Sequence, residues 1–308
     1  MTEKQKGALL TVVAAIAWGI SGISGEYLMT HGMAVNHLSA LRLIISGLFL
    51  TAIAYVTNKE SLMQAIKDWK SLLGIGLFAI LGLALNQYAY LSAVAYTNAG
   101  TATVLQYMSP VLVLIYICLR QKTWPTVLDV VAIVLAIVGT VFLATHGDLT
   151  QLSISPFGLF WGLFSAVTYA FYILLPARSI RRYGSLVVIG LGMLMGGALF
   201  SILTQPWQYQ YAFDGKSLLA LFGIVGVGTI FAYSLFLKGV TLVGPVNASL
   251  LASIEPVAAV FFSIVIMKAH FFALDLMGVA LILGAVLLIS LKDLNIRKRR
   301  KLPGDLRP

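Results

Sequence analysis

GTATVLQYMSPV (residues 100–111) and VNASLLASIEPV (residues 246–257) are the two stretches whose reading decides the fold. A shift of 146 residues lays the first on the second, setting Ala102 on Ala248, Leu105 on Leu251 and Pro110 on Pro256. The same shift carries Asp129 onto Asp275 in the next apolar run. A shift of 151 residues sets AWGIS (17–21) against TYAFY (168–172), which pairs Trp18 with Tyr169. Any one such match is weak, because apolar helices resemble each other by composition. A shift shared by two runs and the loop between them points to a duplicated unit.

Both stretches lie in apolar runs of the length that crosses a bilayer as a helix, about 20 residues. Such runs fill the chain: 7–30, 37–57, 71–94, 98–119, 126–145, 157–176, 185–204, 217–237, 245–267 and 271–291. The sequence is 59% hydrophobic and 10% charged, with a mean hydropathy of +0.93. Soluble domains carry roughly 25% charged residues, so a soluble fold of this size lacks the polar surface it needs. The expectation is an all-α integral membrane protein, one bundle with short connections. The first run is too long for the apolar region of a cleaved signal peptide, and more spans follow it. The single cysteine, Cys118, excludes an internal disulfide and a multi-cysteine metal site, and it reads as a small buried hydrophobe.

Charge gives the orientation. With the N-terminus placed inside, 18 of the 21 Lys and Arg residues fall in inside segments. Lys216 and Lys268 fall outside, and Arg42 lies within a span. The positive-inside rule then predicts a multi-pass plasma-membrane protein with both termini in the cytoplasm. The net charge of +10 is densest in IRKRRK (296–301), just past the last run. Basic residues there set topology and touch anionic lipid, so no nucleic-acid partner is expected. ESLMQAIKDWK (60–70) groups Leu62, Ile66 and Trp69 on one face and predicts a short interfacial helix on the cytoplasmic side. QPWQYQYAF (205–213) predicts an aromatic belt at the outer interface.

The repeated unit holds five spans. Five is odd, so the second copy enters the membrane upside down. The predicted fold is ten transmembrane helices as two inverted five-helix repeats, residues 1–146 and 147–295, followed by a basic tail, 296–308. Inverted repeats build many secondary transporters, with the substrate site near the midplane between the copies.

AAIAWGISGISGEYL, ALRLIISGLF, AYTNAGTATVLQYMSPV and GPVNASLLASIEPVAAVFF together resemble the EamA family of the drug/metabolite transporter superfamily, over essentially the whole chain in two tandem copies. The resemblance implies ten helices, cytoplasmic termini and a central cavity lined mainly by the first four helices of each half. It also implies transport of a small metabolite, often an amino acid or related compound, usually outward. One departure stands out. Where the family often has a glutamate after the fourth and ninth helices, this chain has Gln121 (before Ala132) and Met267 (before Gly278).

Polar residues inside the spans nominate the site. Glu255 lies about ten residues from either end of the ninth run, where an ionised carboxylate must be hydrated, paired or protonated. Pro256 removes a backbone donor and leaves a carbonyl near residue 252 unpaired. The fourth run repeats this design without charge, in Ser109 and Pro110. Kinks are expected at Pro110 and Pro256, with Glu255 binding a cationic group or a proton; the alternative is a structural carboxyl bonded to a neighbouring helix. Glu26 and Arg42 lie symmetrically about the loop centred on residue 34, at one depth near the outer boundary. They read as an ion pair or an outer gate, or else Arg42 snorkels outward and Glu26 meets headgroup water. Helical spacing adds Asn86 and Tyr90 on the third run, Thr103 and Gln106 or Tyr107 on the fourth, and Thr229 and Tyr233 on the eighth, besides Trp18 and Tyr169. Each serves as substrate contact or as interhelical glue. Asp129 and Asp275 sit where a carboxylate favours the helix dipole and read as structural. The four histidines, His31, His37, His146 and His270, all fall outside in this topology and suggest no metal site.

The function expected is a secondary transporter of a small-molecule substrate, with no cofactor and no P-loop to bind nucleotide. The alternative within transport is a broad-specificity drug or amine exporter. An intramembrane enzyme needs a nucleophile–base pair, a carboxylate dyad or a metal cluster, and no HExxH or GxSxG pattern appears. A channel needs rings of like charge or a filter motif, and neither is visible. A homodimer is an assembly that the sequence leaves open.

Overall fold

Side chains in the first turn decide where many of the helices begin. Asp68 accepts from the Ser71 N–H, Asn98 from Thr101, Ser155 from Gly158 and Asp214 from Ser217, each supplying a partner that a helix start lacks. The computed structural model describes residues 1–148 and 150–301, with side chains except those of 245, 246 and 293–301. The side chains of the basic tail, and with them its expected contact with anionic lipid, lie outside the described residues. Among the described residues ten helices are long and apolar enough to cross a membrane: α1 (Glu3–Thr30), α2 (Val35–Thr57), α3 (Trp69–Tyr96), α4 (Ala99–Gln121) and α5 (Val127–Thr145) in the first half. The second half holds α6 (Pro156–Tyr183), α7 (Ser185–Thr204), α8 (Gly215–Val243), α9 (Asn247–Val265) and α10 (Ala273–Lys292). A short helix, Lys59–Lys67, precedes α3 and buries Leu62 and Ala65, whereas Ile66 and Trp69 are exposed. Several helices outrun the predicted spans. Lys238, expected in a loop, sits exposed within α8, where its long stem can carry the charge outward.

The packing is closed under exchange of the two halves. α2 packs on α7, α4 on α9 and α5 on α10, each helix against its own repeat mate, while α1 packs on α8 and α3 on α6. These last two pairs convert into each other when the halves are swapped, as an inverted repeat requires. The 146-residue shift also relates details that the sequence comparison had not reached. Asp68 and Ser71 become Asp214 and Ser217, the same cap at the start of α3 and α8. The π-helical segment Ala79–Ala84 of α3 falls inside the π-helical segment Gly223–Phe231 of α8.

α5 and α10 cross in close backbone contact. A Cβ added to Gly139 would lie 2.6 Å from the Gly278 carbonyl oxygen, and one added to Gly278 would lie 2.6 Å from that of Gly139. Only glycine allows this approach. A polar contact between the two helices stands at each end: Lys292 Nζ lies 2.5 Å from Asp129 Oδ2, and His146 Nδ1 contacts Asp275 Oδ1. His146 and Lys292 are themselves 146 residues apart, so the two pairs are repeat mates. Asp129 and Asp275 were expected to serve the helix dipole, and each does cap its own helix through the N–H of Thr126 and Phe272. Each also holds a side-chain nitrogen from the far end of the partner helix, Lys292 Nζ or His146 Nδ1, which position within one helix does not reveal.

Candidate functional site

α4 and α9 are each broken in mid-membrane. α4 consists of Ala99–Gln106 and Ser109–Gln121, and α9 of Pro245–Ala252 and Ile254–Val265. The turns between the halves have the same backbone, φ −70° and ψ 3° at Tyr107 and φ −66° and ψ −1° at Ser253, residues 146 apart. The cause is shared. Pro110 and Pro256 carry no N–H for the carbonyl four residues earlier, and their rings clash with it. The freed carbonyl expected near residue 252 is that of Ala252, and the Tyr107 hydroxyl donates to it from α4 at 3.0 Å.

The halves of these helices behave oppositely on the two sides of the breaks. On the side away from the termini, the first half of α4 packs on the second half of α9. There the Gly100 N–H donates to Ser263 Oγ at 2.9 Å, and a Cβ on Gly100 would lie 3.0 Å from the Val260 Cα. On the side of the termini, the second half of α4 and the first half of α9 are not a packed pair among the described residues. A cavity of about 830 Å³ opens between them, reaching Gln121, Trp124 and Lys292 at its mouth. The volume suits a small organic solute.

The cavity gathers Glu255, Trp18, Asn86, Tyr90, Gln106, Tyr107, Tyr169 and Tyr233 on one surface. Pro110 lines it as well, and Pro256 is buried behind. Several of these side chains are also interhelical ties. Asn86 Nδ2 donates to the Ser165 carbonyl and to Thr168 Oγ1, both at 3.1 Å. Tyr90 Oη and Thr103 Oγ1 lie 3.0 Å apart. Tyr107 Oη also lies 3.0 Å from Glu255 Oε2. Opposite, Trp18 meets the ring of Tyr233 edge-on at 5.6 Å between centroids, and Tyr169 stacks on Tyr172 at 5.3 Å.

Of the readings open for Glu26 and Arg42, the ion pair does not form. Glu26 Oε2 accepts from the Ala99 N–H at 2.8 Å, where a carboxylate is favoured by the positive end of the first half of α4. Arg42 turns inward to the cavity and donates from Nε to Thr229 Oγ1 at 3.2 Å. Symmetry about a loop fixes depth in the membrane but not direction around the helix axis. Sequence reasoning also passed over Ser21 and Tyr172, which line the cavity. They are related by the same 151-residue shift that pairs Trp18 with Tyr169, so the signal was present. Ser21 Oγ, Gln87 Nε2 and Ser109 Oγ have no hydrogen-bond partner in the protein, and all three residues line the cavity. Among the described residues no cluster of three or more His, Cys, Asp or Glu side chains has metal-binding geometry.

Comparison with known proteins follows the same lines. The inner membrane transporter YicL of Salmonella typhimurium, itself uncharacterized, is 36% identical over 292 residues, 94% of this chain and 97% of that protein. The uncharacterized transporter YetK of Bacillus subtilis is 27% identical over 305 residues, 95% and 89% of the two chains. A solved crystal structure, described only as that of a protein, shares the fold with a TM-score of 0.61 at 20% identity, covering 93% of this chain and 98% of its own. The profile of the EamA-like transporter family matches twice, over residues 5–145 and 156–291. With ten membrane-crossing helices in two inverted halves and that double match, the chain belongs to the EamA-like transporter family of multi-pass membrane proteins.

Proposed function

We propose that this transporter moves a small polar or amphipathic metabolite, an amino acid or related compound, outward across the plasma membrane by alternating access around the central cavity. The observation that carries this reading is one cavity, sealed at one end and open at the other, between inverted halves whose packing is interchangeable. Alternating access follows if the halves trade roles. The charge bias of the sequence supports cytoplasmic termini, and the open mouth then faces the cytoplasm, ready to load substrate for export. Glu255 and Arg42 on the same cavity wall supply one anion and one cation, which suits a zwitterion. The aromatic rings around them suit an apolar side chain. Glu255 is assigned to coupling with a proton as well as to substrate. Arg42 is assigned to substrate, and Glu26 to the seal at the closed end. The same rings support a second reading, an exporter of amphipathic amines; Arg42 weighs against it.

The test is counterflow and uptake in proteoliposomes with a labelled panel of amino acids and organic amines, with and without an imposed pH gradient. Saturable counterflow of an amino acid, with gradient-driven accumulation lost in Glu255→Gln, is expected. Amines alone giving counterflow would select the second reading. Saturable flux of neither class would sink both.

A further inference from the structure

Three oxygen atoms meet where the breaks of α4 and α9 face each other. Tyr107 Oη lies 3.0 Å from the Ala252 carbonyl oxygen and 3.0 Å from Glu255 Oε2. A phenol carries one hydrogen, so it donates to one of these acceptors at a time. The Ala252 carbonyl depends on that donor, because Pro256 has no N–H to offer. With Glu255 ionised, the three oxygens share one hydrogen, so the protein supplies a donor to only one of the two acceptors. With a proton on Glu255 the chain closes. The carboxyl O–H donates to Tyr107 Oη, and the Tyr107 O–H donates to the Ala252 carbonyl.

We propose that Glu255, Tyr107 and the Ala252 carbonyl form a proton-operated tie between the two helix breaks. When Glu255 is protonated, Tyr107 holds the backbone of the α9 break and stabilises the arrangement that opens on the side of the termini. When the proton leaves to solvent in the cavity, the phenol hydrogen turns to the carboxylate. The Ala252 carbonyl is released, and the α9 break is free to rearrange. The ligand of this site is a proton, and its effect is on the hinge rather than on substrate contacts. The tie is single. At the mates of Tyr107 and Glu255 stand Ser253, which donates to Leu250 in its own helix at 2.6 Å, and Ser109.

The other titratable groups lining the cavity are Arg42 from α2, Tyr90 from α3, Tyr169 and Tyr172 from α6, and Tyr233 from α8, with Cys118 on α4. Asp129 from α5 and Lys292 from α10 stand at the mouth, already paired. α1 and α7 contribute none. Arg42 is the group that would favour ionised Glu255, but its Nε is directed at Thr229 and no ion pair joins the two side chains.

The inference rests on reading the cavity as a transport route, and its test is chosen to stand apart from transport. Cys118 is the only cysteine of the chain and lines the mouth half of the cavity. Its labelling by a water-soluble methanethiosulfonate therefore reports opening on that side. The whole protein in nanodiscs is labelled from acid to alkaline pH, each rate divided by that of glutathione at the same pH to remove the thiolate effect. For wild type the corrected rate is expected to fall about fivefold on going alkaline, the change one buried hydrogen bond makes to a two-state equilibrium. Glu255→Gln keeps the tie through its carboxamide N–H and stays near the acid value throughout. Tyr107→Phe has no tie and stays low and flat. A flat wild-type profile, or a wild-type profile surviving in either variant, would overturn the tie. Should Tyr107→Phe fail to fold, the comparison of wild type with Glu255→Gln decides alone. No substrate is needed, so a flat profile with intact counterflow removes the tie and leaves the transporter. A pH-dependent profile without counterflow does the reverse.

Discussion

The breaks in α4 and α9 are one backbone turn made twice from different side chains. The turn persists because each proline deletes the same hydrogen bond, and nothing about that deletion depends on the neighbours. The chemistry around it has been divided. α4 contributes a long phenol, Tyr107, that reaches across to the other helix, and α9 contributes the carboxylate. At the exchanged positions stand two small hydroxyls, Ser253 and Ser109. A duplicated fold thus holds its path by backbone rules shared between copies, while a single asymmetric site is assembled from what the copies do not share.

That contrast can be broken by moving the charge. Ser109→Glu puts a carboxylate at the mate of Glu255, on a residue 1% exposed with no hydrogen-bond partner for its side chain. It is expected to destabilise the protein by about 3 kcal/mol or more, read as a lower thermal midpoint in detergent. Glu255→Ser, which removes the charge instead, costs far less by the same measurement; equal losses would mean the two breaks are chemically equivalent after all.

Lys292→Met probes the second pair of mates, leaving Asp129, itself 2% exposed, without its cation. A loss of about 2 kcal/mol is expected, and Asp129→Asn in the same chain should recover most of it. Absence of recovery would show that Lys292 acts by packing rather than by charge.

Tyr107→Phe and Ser253→Ala sharpen the comparison at the turns themselves. The first strips the donor from a part-buried carbonyl of another helix, at about 1–2 kcal/mol. The second removes only a bond within α9 and is expected to cost about 0.5 kcal/mol. A denaturant or thermal series that ranks them the other way would place the weight of the interface elsewhere.

The smallest effect concerns the capping aspartates. Hydrogen bonds from Ser71, then from Tyr183, with Arg182 beside it, hold the Asp68 carboxyl down from its ordinary 3.8 to about 2. Asp214 is lowered as well, chiefly by Ser217. A carboxyl whose value is depressed on folding contributes stability that is complete above its unfolded value and is lost as the pH falls through the folded one. The thermal midpoint of Asp68→Asn should therefore lie slightly below wild type at neutral pH, with the gap closing between about 4 and about 2. Arg182, 2.6 Å away and contributed by α6, makes Asp68 a link between halves that Asp214 is not expected to match.

Much of the scaffold was legible because membrane helices announce themselves by length and apolarity, and because prolines and caps act locally. The freed carbonyl at residue 252 followed from Pro256 alone. What sequence could not give was direction around each helix axis. Glu26 and Arg42 face different neighbours, one the start of α4 and the other the cavity. The π-helical segments shift that direction by widening a turn, and no residue type in Ala79–Ala84 or Gly223–Phe231 demands them. Carried through, the 146-residue shift predicts the pairing of Asp68 with Asp214 and of His146 with Lys292 from numbering alone.

The glycine crossing of α5 and α10 has a use for anyone watching this protein move. Two helices locked backbone to backbone where they cross and pinned at both ends make an internal standard. Spectroscopic labels on their exposed faces, at Val134 and Leu287, should report one distance whatever the substrate, pH or gradient. Against that constant, labels on the second half of α4 and the first half of α9 would report the whole amplitude of the transport cycle as a difference, free of detergent or lipid drift.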